Sequence, residues 1–108
     1  MPTPSEVNLT HKPFDATDPD TREALQAAHD ACLAQRHLPL WCVMFNPSDL
    51  PGLYVARLNI ATRSGAAYVA SLAVVGTTLE TVRQALPAGL HRIDRLLGDE
   101  PKIVETWL

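Results

Sequence analysis

Glycine is scarce in this chain, with five in 108 residues. No G-x-G-x-x-G, P-loop or G-x-S-x-G stretch occurs, so glycine-built cradles for dinucleotides and nucleotide phosphates are excluded, and so is a nucleophile elbow. No cofactor is expected. Cysteine is equally sparse: Cys32 and Cys42 are too few for a disulfide scaffold. No apolar run approaches the roughly 20 residues that a membrane helix needs. Residues 1–17 lack the basic start and apolar stretch of a secretory signal, so the cytoplasm is the expected location. Basic excess is missing too. Nine Lys and Arg face twelve Asp and Glu, a net charge of −3. Nucleic-acid binders usually carry a basic patch, because counterion release drives their affinity. Broad DNA or RNA binding is therefore disfavoured.

What is present is an ordinary globular composition, 46% hydrophobic. That content is too apolar for a disordered chain. The length fits one domain, residues 18–108, preceded by a polar, proline-containing arm over residues 1–17. Val7, Leu9 and Phe14 are the arm residues that would rest on the domain.

Asp18-Pro19 reads as a helix start, with Asp18 capping and Pro19 at the first helical position. Leu25, Ala28, Cys32 and Leu33 recur at helical spacing, with His29 on the same side, and the helix should end near Arg36. Residues 40–45 (LWCVMF) form a short apolar run suited to a buried strand. Residues 53–62 and 66–75 follow as two more strands around an Arg63-Ser64-Gly65 turn, making an antiparallel meander. Thr77 with Glu80 fits a capping box for a second helix carrying Leu79, Val82 and Leu86, stopped by Pro87. Residues 90–95 and 102–108 alternate as two further strands. The order α-β-β-β-α-β-β predicts an α+β two-layer sandwich, a mostly antiparallel sheet with both helices on one face. Tyr68, Leu72 and Trp107 are the apolar residues expected on the face left uncovered. Such a face points to self-association as a homodimer or to a protein partner.

Few residues carry candidate chemistry. Arg57, Arg92 and Arg95 would form an anion pocket if their strands were neighbours, with His91 as acid or base. His29 and Cys32, three apart on one helix, are the best start of a metal site. Their spacing matches no standard zinc set, so no metal is expected. Cys42, His91 and Asp94 can be written as a catalytic triad, yet no pattern brings them together, and no catalytic residue is assigned. These features favour a small non-enzymatic binding or protein-interaction module over a small enzyme or an arginine-lined anion binder. An RNA-binding domain ranks last because of charge.

Three stretches carry a resemblance: residues 46–58 (NPSDLPGLYVARL), 78–90 (TLETVRQALPAGL) and 98–108 (GDEPKIVETWL). Over roughly the C-terminal two-thirds, the chain resembles small bacterial proteins of uncharacterised function, which implies no activity and no site. The α-β-β-β-α order is also similar to that of the double-stranded-RNA-binding domain. The lysine cluster at the start of that domain's last helix is missing, since residues 77–83 hold one base and one acid.

Overall fold

The computed structural model describes residues 13–95, 98 and 100–108. Eight elements follow in order: β1 (Phe14–Asp15), α1 (Thr21–Ala34), β2 (Leu38–Phe45), β3 (Tyr54–Ala61), β4 (Ala67–Gly76), α2 (Leu79–Ala85), β5 (Arg92–Asp94) and β6 (Ile103–Trp107). The α-β-β-β-α-β-β order read from periodicity is present, with the two-residue β1 ahead of it. The strands form one sheet in the order β1-β4-β3-β2-β6-β5. Every pairing is antiparallel except β1 with β4. Of the expected arm, Val7 and Leu9 lie outside the described residues, whereas Phe14 and Asp15 pair with Val74 and Val75 on the sheet edge.

Both helices start later than their first capping signal. Asp18 does not cap α1; its carboxylate accepts the Asp20 N–H at 2.9 Å in a turn ahead of the helix. Thr21, fully buried at the first helical position, donates its hydroxyl to the Asp15 carbonyl at 2.6 Å and ties α1 to β1. In α2 the cap is Thr78 rather than Thr77, and its side chain accepts the Thr81 N–H at 3.2 Å.

Helix α1 closes in a Schellman motif. The His37 N–H reaches the Cys32 carbonyl at 3.0 Å, and the Arg36 N–H reaches Leu33 at 2.9 Å. This geometry puts Arg36 in the left-handed region, at φ 61°. Glycine adopts that conformation without a Cβ penalty. Arg36→Gly is expected to raise unfolding free energy by about 1 kcal/mol, read from chemical denaturation midpoints. No gain, or a loss, would mean that the arginine side chain contributes more than its backbone costs.

The core lies between the helices and one sheet face. Leu25 of α1 and Val82, Ala85 and Leu86 of the α2 region pack on Trp41, Val43, Ala56, Leu58 and Val74. Directly opposed residues of an antiparallel pair share a face. The register Trp41↔Leu58 and Val43↔Ala56 therefore assigns the odd positions of β2 and the even positions of β3 to the helix side. Gly76 lets α2 approach closely, because a Cβ there would meet Val82 at 3.0 Å.

Candidate functional site

Two buried polar clusters sit under the helices. His29 is 8% exposed, and its Nδ1 accepts the Trp41 indole N–H at 3.0 Å. This bond requires an imidazole without a proton on Nδ1, and burial pushes the His29 pKa below its ordinary value. The second cluster is Glu105, 2% exposed on β6. Arg83 of α2 grips it with both ends of its guanidinium, at 2.9 and 2.5 Å, and the Trp107 indole donates at 2.5 Å. Burial alone would raise the Glu105 pKa; the bonds from Arg83 and Trp107 outweigh it and hold the carboxyl below its ordinary value. Both clusters are internally satisfied and serve the core.

The residues expected to make an anion pocket are not brought together. Arg57 on β3 and Arg92 on β5 are separated by β2 and β6. That spacing is about 14 Å, at roughly 4.8 Å per strand. They also face opposite ways. Arg57 is opposite Cys42 on the uncovered face, whereas Arg92 is opposite Trp107 on the helix side. Arg57 is held by Asp49 at 2.6 Å, and the guanidinium pulls the Asp49 pKa down. Arg92 pairs with Asp94 at 3.2 Å. Arg95 follows β5, and His91 exchanges backbone bonds with Leu108 at 2.7 and 3.0 Å. The pocket fails on strand order, which periodicity does not encode.

His29 and Cys32 do lie on the sheet-facing side of α1, both buried. His29 is committed to Trp41, and burial raises the Cys32 thiol's pKa, which disfavours the thiolate that a metal would need. Among the described residues no group of three or more His, Cys, Asp or Glu is placed to hold a metal ion. The triad of Cys42, His91 and Asp94 is also split. Cys42 shares a row with Thr106 and Ile93 on the uncovered face, and Asp94 stands opposite Glu105 on the other.

The face placement of the three apolar candidates needs correction. Leu72 and Trp107 pack against the core under the helices. Tyr68, opposite Ile60, is on that same side, although half exposed. The reason is the register: Tyr68 and Val74, even positions of β4, stand opposite the helix-facing Ile60 and Ala56, and Trp107 stands opposite Trp41. Three residues of β4 oppose Leu58 alone, a bulge that adds two residues and so leaves the alternation of β4 unchanged.

The uncovered face is nonetheless apolar, through other residues. Leu38, Leu40, Cys42 and Met44 of β2, near the sheet centre, all point to it, and Leu38 is 47% exposed. Val69 and Ile93 extend it across the sheet at 59% and 43% exposure. The polar members Arg57, Asn59 and Thr106 lie between them. The loop after β2 overhangs one end. Asn46 turns in the left-handed region at φ 57° and accepts the Gly52 N–H at 2.7 Å, so that Asp49 reaches Arg57. Among the described residues no helix is long and apolar enough to cross a membrane.

The fold and this face define a two-layer α+β domain with one sheet surface open. Comparison with known proteins adds no further constraint: no family model, no curated protein and no solved structure matches the chain.

Proposed function

We propose that this chain is a small non-enzymatic binding module whose open sheet face pairs with a second copy of itself. The observation that carries this reading is strand β2. A sheet with one solvated face normally alternates apolar-in with polar-out. Strand β2 reads LPLWCVMF, apolar at every position. Its odd positions meet the helices; its even positions Leu38, Leu40, Cys42 and Met44 have the composition of a second buried face. Six strands crossed by an eight-residue central strand give a footprint on the order of 600 Å². The corrugated accessible area of such a footprint approaches the roughly 800 Å² per partner of a standard interface. A two-fold contact also suits a surface whose polar members, Arg57, Asn59 and Thr106, can pair across the axis.

Sedimentation equilibrium at micromolar concentration tests this. The wild-type chain should sediment as a dimer. Leu40→Asp together with Met44→Lys should give a folded monomer, since both side chains lie off the helix-packed core. A strictly monomeric wild-type chain would end the dimer reading, and a stable complex with another protein on the same face would replace the second copy by that partner.

A further inference from the structure

The two edges of the sheet are unequally protected among the described residues. At one edge β5 is three residues long and carries the paired charges of Arg92 and Asp94, which discourage a further strand. At the other edge β1 covers only the last part of β4, at Val74 and Val75. Residues 67–72 of β4 have no described strand on their outer side. They read AYVASL, without charge, proline or glycine, and Tyr68 and Val69 are more than half exposed. The Thr62 N–H donates to the Ala66 carbonyl at 2.8 Å. At this end of β4, even-numbered backbone groups therefore turn to β3, and the N–H and C=O of Ala67 and Val69 point out of the edge. Natural sheets rarely leave such a row open.

Strand β1 points to the occupant. It runs parallel to β4, so the residues before Phe14 head back along the open edge toward Ala67. The Ala16 N–H donates to the Val75 carbonyl at 2.8 Å. Even-numbered residues of this segment thus turn their backbone groups to β4, and odd-numbered ones turn away. Pro13 is compatible with a continued strand, because the N–H it lacks would face away from β4. It already borders Val69, Ala70 and Ser71 across one hollow. Residues 5–12, outside the described residues, read SEVNLTHK, with no proline or glycine and with the strand formers Val7 and Thr10. At roughly 3.3 Å each, residues 7–12 span about 20 Å, the length of the open stretch. Counting back from Phe14↔Val74 puts Val7 and Leu9 on the same face as Val69. The two extra residues of the β4 bulge shift this count by two and keep its parity.

We infer that the outer edge of β4 is a strand-docking surface whose occupant is the chain's own segment 7–12, which prolongs β1 in parallel and lays Leu9 beside the exposed part of β4. The segment thereby closes the edge to extended strands of other chains. This contact lies in the plane of the sheet and does not depend on pairing through the open face.

Amide hydrogen exchange of the full chain, followed residue by residue by NMR, tests the inference. The outward-pointing amides of Ala67 and Val69 should exchange at least about ten-fold more slowly than free amides of the same sequence. Thr10→Pro removes an N–H that faces β4 and should abolish that protection. His11→Pro removes one that faces away and should leave it in place. Both changes lie outside the core, and unchanged exchange at Val43 and Val74 verifies the fold. Fast exchange at Ala67 and Val69 in the wild-type chain, no change in Thr10→Pro, or equal loss in the two variants would each overturn the assignment. Protection that disappears on dilution would also overturn it, since the strand on the edge would then come from a second copy.

Discussion

Arg83→Ala is expected to lower unfolding free energy by about 3–5 kcal/mol, because it leaves a buried carboxylate without its counter-charge. Glu105 is 2% exposed and takes two of its three side-chain bonds from Arg83, the third from Trp107. Arg83 is itself partly exposed, with 28% of its side chain accessible, so the loss should fall toward the lower end of that range. Removing both charges is a different experiment. Arg83→Met with Glu105→Leu should recover most of the loss, since a well-packed apolar pair often equals a buried ion pair. Urea denaturation of the wild-type chain, the single variant and the double variant checks both statements. If the single variant were unchanged in stability, Glu105 would have to be reached by water, contrary to its burial.

Trp41→Ala should cost about 3–5 kcal/mol, the usual range for deleting a large buried aromatic side chain. Trp41 is fully buried, touches both the helix layer and its neighbouring strands, and satisfies His29. The same pair makes stability depend on pH. The His29 pKa is held below its ordinary value of 6.5 in the fold, chiefly by burial, with Asp30 opposing weakly. The unfolded chain therefore binds the proton more readily, and acid favours unfolding. The His29 contribution is complete above about pH 6.5 and is lost as pH falls toward the folded-state pKa. Glu105, also held low, adds a second loss below its ordinary value of 4.5. Denaturation midpoints measured across pH 4 to 8 should fall toward acid, and His29→Gln should flatten the upper part of the curve. A midpoint independent of pH between 5 and 7 would show that His29 is not held neutral by the core.

Much of the fold was legible because its elements carry strong local signals. The helical stripe Leu25, Ala28, Cys32 and the apolar run of β2 each specify one kind of element. Even the buried histidine was visible, since His29 fell on the apolar side of the α1 stripe. Its partner was not, because Trp41 reaches it across two elements. Glu105 left a similar trace: an acid inside the apolar strand IVETW is either solvated or paired, and only the position of Arg83 on α2 decides which. The arginine pocket failed for a related cause. Arg57, Arg92 and Arg95 each sit on or beside a strand, yet which strands are neighbours depends on β6 inserting between β2 and β5. The misplaced faces of Tyr68 and Leu72 have a similar cause: which half of β4's alternating residues meets the helices is set by its register on β3, where Tyr68 stands opposite Ile60. Strand β1, two residues long, has no periodicity to read.

The insertion of β6 also bears on how fast this chain can assemble. Strands β2, β3 and β4 are joined by short turns, so their ladders close locally. Strand β6 must instead return past α2 and β5 to pair with β2, matching Trp107 to Trp41. Long-range closures of this kind are entropically slow and dominate folding rates. Arg83 meets Glu105 only once that closure is made. The charge pair thus contributes to retaining β6 after it arrives, and its removal is expected to speed unfolding far more than it slows folding.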